Sequence, residues 1–168
     1  MTWKSHKLIT LVVVYTITGN FIVSLIAAAG SILPDLLEGK SNWKNPKVHR
    51  TYTHWFIPYL ILIILFSSMT DFSLLNAKEG NLIGFLFSNF LSQKENTLGN
   101  FINLISFVGQ CLCFGCLLHI VQDALTGKVP FLNPKKKTFG LKLFKTGSPV
   151  EYVFLGLAIF VMLILGKK

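Results

Sequence analysis

The chain has 168 residues, enough for one domain and too few for two large ones. Apolar residues make up 52% of it and charged residues only 14%, against roughly 25% in soluble domains, which excludes a disordered chain; three cysteines in one apolar run exclude a secreted disulfide scaffold. Sixteen Lys and Arg against seven Asp and Glu give +9, and these basic residues lie outside the apolar runs. The balance fits an integral membrane protein with cationic flanks facing anionic membrane lipid, with no specific nucleic-acid partner.

Four apolar stretches follow one another: Leu8 to Leu33, Trp55 to Met69, Phe101 to Val121 and Val150 to Leu165. The first decides the architecture. As one straight helix, His6 to Asp35 would run about 43 Å at 1.5 Å per residue, longer than a hydrocarbon core of about 30 Å. Thr16-Ile17-Thr18-Gly19-Asn20 sits at its centre, and Gly-Asn is turn chemistry. A hairpin is therefore expected, with helices over Thr2–Thr18 and Phe21–Leu37, entering the membrane from one face and bringing His6 and Asp35 to the same end. Folding back also moves Lys4 and Lys7 to the side that already holds most of the basic residues, which is placed in the cytoplasm. Ala27-Ala28-Ala29-Gly30 leads straight into Ser31-Ile32-Leu33-Pro34-Asp35, which reads as working sequence rather than the end of a discarded leader.

After a polar, basic link (Pro34 to His54) come the second apolar helix, a mixed link, and the third apolar helix. Within the mixed link, Asn81 to Leu91 suits a short interfacial helix or an irregular loop. Cys111, Cys113 and Cys116 lie mid-helix in the third stretch, where small-residue packing is the reading preferred over metal or redox chemistry. A basic link rich in Gly and Pro, Ala124 to Pro149, precedes the last helix. Trp3, Trp43 and Trp55 are expected to form an interfacial belt at the basic end. The fold expected is an all-α membrane-embedded helical bundle, one domain over residues 1–168, with an N-terminal helical hairpin and about three further membrane helices.

All four histidines, His6, His49, His54 and His119, fall where an apolar run meets the basic end. His119 and Asp123 are spaced i, i+4, on one helix face, and Asp35 closes the first segment. Ionisable groups at membrane depth are costly and mark function. Imidazole with carboxylate is the ligand set of a divalent hydrolytic metal, zinc first and manganese where oxygen dominates. His6, Asp35, His49, His54, His119 and Asp123 are the expected ligands of one or more ions. A proton-relay or helix-pairing network, with His119 and Asp123 in a simple intrahelical bond, is the alternative. Arg50 could clamp an anionic oxygen or meet a headgroup. Glu151 is either a further ligand or general base, or part of a capping box in Ser148-Pro149-Val150-Glu151.

Asp35 in Leu33-Pro34-Asp35, the stretch His49 to His54, His119-x-x-x-Asp123-x-Leu125-Thr126, Val129-Pro130-Phe131, Pro134 and the tail Thr146-Gly147-Ser148 to Glu151 recur in that order. Together with His6 they resemble the YdjM-like family of inner-membrane-associated proteins, assigned as metal-dependent hydrolases and also described as LexA-binding. That family usually reads Leu-Pro-Asp-Ile-Asp-His where this chain has Leu33-Pro34-Asp35-Leu36-Leu37-Glu38, and often has Gly where this chain has Thr51. The resemblance implies Glu38 standing in for one ligand. More distantly, the scatter of His and Asp over helix ends resembles the zinc-dependent phospholipase C and P1 nuclease group.

The function expected is metal-dependent hydrolysis at the cytoplasmic face of a bacterial-type inner membrane in a multi-pass protein. A metal-activated water would cleave a phosphoester of a lipid or another anionic amphiphile, with Glu151, Arg50 and Glu38 assisting. Two readings from other classes are an ion or small-solute transporter using the His/Asp cluster, and a non-catalytic membrane scaffold that binds a regulatory protein.

Overall fold

The computed structural model describes residues 1–39, 50–69 and 97–165. Helix α1 (Trp3–Thr18) opens on Thr2, whose hydroxyl accepts the Ser5 N–H and so satisfies one of the free donors of the first turn. It ends at Gly19, which takes a left-handed φ of 66° and donates its N–H to the Tyr15 carbonyl at 2.7 Å. Asn20 then caps α2 (Phe21–Gly30), its side-chain oxygen accepting from the Ile22 and Val23 N–H groups at 3.0 and 3.2 Å. The two helices pack against each other, so the leading segment folds back at the Gly-Asn pair.

The second arm is not one helix. It stops at Gly30 and resumes as α3 (Leu33–Glu38). In an unbroken helix the Pro34 ring would strike the carbonyl four residues earlier, which is that of Gly30. The Gly30 carbonyl instead accepts the Cys116 thiol at 3.3 Å, so a buried acceptor freed by the break keeps a partner. Cys111, Cys113 and Cys116 are free thiols, all buried.

A single 3-10 turn (Tyr52–His54) leads into α4 (Phe56–Ser68). Helix α5 (Thr97–Thr126) has 30 residues, about 45 Å of axis. It is the central strut, lying against α2 on one side and α4 on another, while α1 packs on α2 and on the last helix, α6 (Pro149–Leu165). Three buried clusters fill these seams. Val14, Val23, Ala27, Phe107 and Cys111 join α1, α2 and α5; Tyr59, Cys116 and Ile120 join α4 and α5; Ile9 and Phe144 pack with Phe154 against α6.

Between α5 and α6 the basic link departs from the all-α expectation. Val129–Pro130 (β1) pairs antiparallel with Lys137–Phe139 (β2), Val129 facing Phe139, with an irregularity in register. Asn133 makes the reversal, its side-chain oxygen taking the Lys135 N–H and its carbonyl the Lys136 N–H. Pro130 has no N–H to give and is tolerated because a two-stranded ladder is all edge.

Two helical stretches are long and apolar enough to cross a membrane, Phe21–Glu38 and Phe101–Thr126. Phe56–Ser68 and Pro149–Val161 are apolar but shorter, so length and composition give two candidate spans among the described residues. Outward faces are apolar, with Ile61 and Ile64 on α4 and Leu157 and Phe160 on α6 exposed. Trp43, His49 and the stretch Asn81 to Leu91, open between an interfacial helix and a loop, lie outside the described residues.

Candidate metal centre

Three elements converge at one end of the bundle. The first turn of α3 supplies Asp35, the 3-10 turn supplies His54, and successive turns of α5 supply His119 and Asp123. One ligand atom from each of these four buried residues lies within 4.8 Å of every other. His54 Nε2 is 3.1 Å from His119 Nε2, 3.3 Å from Asp35 Oδ1 and 3.4 Å from Asp123 Oδ2. His119 Nε2 is 3.6 Å from Asp35 Oδ1 and 3.5 Å from Asp123 Oδ2. A tetrahedral ion with bonds of 2.0–2.2 Å holds its ligands about 3.3–3.6 Å apart. Four of these five edges fall in that range, the His54–His119 edge is slightly shorter, and the donors present fit a divalent ion.

Each cage carboxylate shows one oxygen inward and has the other tied elsewhere. Asp35 turns Oδ1 to the imidazoles, while its Oδ2 accepts the Trp3 indole N–H at 2.7 Å. Asp123 turns Oδ2 inward, while its Oδ1 accepts from Arg50 Nη2 at 2.8 Å and from the Met1 amine at 2.9 Å. Outer contacts of this kind fix the orientation of ligands and tune the ion they hold. His54 is held by Thr53, whose hydroxyl is 3.0 Å from Nδ1, with a Glu38 oxygen 3.9 Å away on the same side. Burial alone would lower the His54 pKa, but hydrogen bonds to Asp123 and Asp35 outweigh it and raise it above 6.5. A cation is what this pair of carboxylates attracts.

The chain matches the family model described as YdjM inner membrane protein over residues 1–167. It belongs to that family. No curated protein and no solved structure matches it. Membership in the YdjM family makes this an inner membrane protein, in keeping with the two apolar helical stretches long enough to cross.

In this YdjM family member His6 flanks the cage without being one of the four. Its ring stacks on His119 with centroids 3.9 Å apart, and its Nε2 is 3.3 Å from the outer oxygen of Asp123. Gln122 locks the ring by meeting Nδ1 at 3.0 Å, its own amide N–H donating to Thr10 at 2.9 Å. Glu38 also lies outside the cage, accepting the Arg50 backbone N–H at 2.8 Å. That bond helps hold Arg50 at φ 60°, a left-handed conformation that side-chain-bearing residues seldom adopt. Arg50 reaches Asp123 with Nε as well, 2.8 Å from Oδ2, and its Nη1 fills the space where a side chain on Gly127 would stand. Glu151 stands apart from the cluster: Oε1 accepts from Thr2 N at 2.8 Å and Oε2 from Gly147 N at 2.7 Å. A cavity of about 370 Å³ opens onto the cage, with Asp35, Asp123, Arg50, Trp3 and Thr146 in its wall.

The expected ligands include all four cage residues, and Arg50 among their supports also stands out in the sequence. Trp3, an expected belt residue, also serves Asp35 through its indole N–H. Trp55 is partly buried, with its indole N–H on the Phe131 carbonyl at 3.0 Å. Gln122 and Thr53 carry no motif, and only the three-dimensional juxtaposition reveals them.

Proposed function

We propose that this chain is a membrane-bound hydrolase that uses a divalent metal, zinc first and manganese as the alternative, to cleave a phosphoester of a lipid or another membrane-proximal molecule. The observation that carries this reading is the cage itself: two imidazoles and two carboxylates, all buried, with edges of 3.1–3.6 Å, beside a cavity that Asp35 and Asp123 line. A divalent ion held there supplies a water acidic enough to attack at neutral pH and a positive charge beside the developing oxyanion. The residues around it account for the rest. Asp35 and Asp123 match the charge of a divalent ion, and Trp3, Thr53 and Arg50 hold the ligand groups in place. Arg50, at the cavity wall, is positioned to meet an anionic oxygen entering beside the cage. Glu151, both of whose oxygens are taken by backbone N–H groups, is left out of the chemistry. We place the site at the basic, cytoplasmic end of a multi-pass protein.

The deciding experiment is elemental analysis of the purified protein beside His119→Ala and Asp123→Ala. Wild type is expected to carry stoichiometric zinc or manganese, and each variant to lose it. Equal trace metal in all three overturns the cage. Loaded protein is then assayed against phospholipids and generic phosphodiesters, where turnover lost in both variants supports hydrolysis. Silence across those substrates with the metal in place overturns phosphoester cleavage and leaves a binding role.

A further inference from the structure

The segment between α5 and α6 has a surface that neither water nor hydrocarbon suits. From Ala124 to Val150 it carries six lysines and no acidic residue. Among those lysines, Leu132 (74%), Leu141 (60%) and Leu143 (62%) stand exposed, as do Phe131 and Phe139. The backbone beneath them is fixed. Leu141 and Leu143 donate their N–H groups to the Ala124 and Leu125 carbonyls, both at 2.7 Å, and Trp55 holds the Phe131 carbonyl. Gly140 presses on Gly127 so closely that a Cβ would come 1.9 Å from the Gly127 carbonyl oxygen. The Phe131 ring stacks on Phe56 at 5.3 Å, tying the segment to α4 as well.

Lysines alone would suit RNA as readily as lipid. Leucines interleaved with lysines on one fixed strip suit the headgroup layer of a bilayer, where apolar side chains reach inward and ammonium groups stay with the phosphates. The charge is complementary to an anionic leaflet, and the family is one of the inner membrane. We propose that residues 127–145 form a membrane-docking wing seated in the headgroup layer of an anionic leaflet. Because the wing leaves α5 only four residues beyond Asp123 and is tied to Trp55, next to His54, its seating fixes the depth of the candidate metal centre. The proposal does not depend on hydrolysis.

The test uses the full chain in lipid nanodiscs, spin-labelled at Leu132→Cys and, separately, at Leu143→Cys. Cys111, Cys113 and Cys116 are buried in α5 and stay unlabelled. In discs containing phosphatidylglycerol, both labels are expected to collide more with oxygen than with a water-soluble nickel chelate. Discs of phosphatidylcholine alone, or the Lys135→Glu/Lys136→Glu background, should raise nickel access several-fold, since each lysine near an anionic surface multiplies partitioning about fivefold. Water-like access at both positions in the anionic discs overturns the proposal. So does lipid-like access that neither lipid charge nor charge reversal alters, and so does shielding of the labels by added RNA where lipid gives none.

Discussion

Asp35 and Asp123 are ordered by the same device, and Trp3 provides the more accessible test of it. Its indole N–H takes Asp35 Oδ2 at 2.7 Å, which leaves Oδ1 as the oxygen facing His54 and His119. Removing an outer-shell partner of a metal ligand typically lowers affinity by about 10–100-fold. Trp3→Phe keeps an aromatic ring and loses only the donor, so about a tenfold loss in zinc affinity is expected, read by competition against a chelating dye. Unchanged affinity in a protein of normal helix content would show that Asp35 is not held by Trp3. His119 and Asp123 were legible in the sequence because helical periodicity places i and i+4 together without knowledge of anything else. The Trp3–Asp35 bond was not, because its partners are 32 residues apart and meet only once the hairpin has closed. An aromatic residue near a membrane end then looks like a belt residue and no more until its N–H is traced.

At the scale of elements, the crossing of α2 and α5 places backbone against backbone. A Cβ on Gly115 would stand 1.9 Å from the Ala27 carbonyl oxygen, and one on Gly30 would stand 2.2 Å from the Leu112 carbonyl oxygen. Small residues that permit such approach are what joins helices where the hydrophobic effect cannot. Gly115→Ala is expected to destabilise by about 1–3 kcal/mol, the usual cost of overpacking, since a carbonyl in a helix cannot swing aside. Gly156→Ala is the internal control: nothing lies within 4 Å of its Cβ position, and better helix propensity should leave it neutral or up to about 1 kcal/mol more stable. Thermal unfolding of both in one detergent decides the matter, and equal midpoints would contradict the crossing. The fold-back at Gly19 and Asn20 was readable because a left-handed turn and an Asn cap are local signals. The break at Gly30 was not read as the end of a helix. Its cause is local, Pro34 four residues on, but the Cys116 thiol that accommodates the freed carbonyl comes from another helix. The short β pair was hidden for a similar reason, since strands of two and three residues leave no periodicity to detect.

At the scale of the whole molecule, the last helix is tied back to the first residues. Glu151, fully buried, receives the N–H of Thr2, 149 residues away, on one oxygen and the Gly147 N–H on the other. The bonds of a capping box over Ser148 to Glu151 are not made, since the Ser148 N–H goes to the Lys145 carbonyl; the carboxylate takes the Gly147 N–H with one oxygen and serves the start of α1 with the other. Thr2 and Trp3 are neighbours, so this clamp also sets where the Asp35 support sits. Glu151→Gln preserves the shape but turns an NH2 group toward a backbone donor, leaving buried polar groups unpaired at a cost of about 1–3 kcal/mol. A lower unfolding midpoint is therefore expected, with full occupancy at saturating metal, in contrast to His119→Ala, which should lose the ion outright. Thermal unfolding and elemental analysis on the same preparations separate the two roles. If Glu151→Gln empties the site as completely as His119→Ala while melting like wild type, the carboxylate belongs to the cation and not to the clamp. If it melts lower and keeps its metal, the two ends of the chain are joined by a structural tie that only positions the cage.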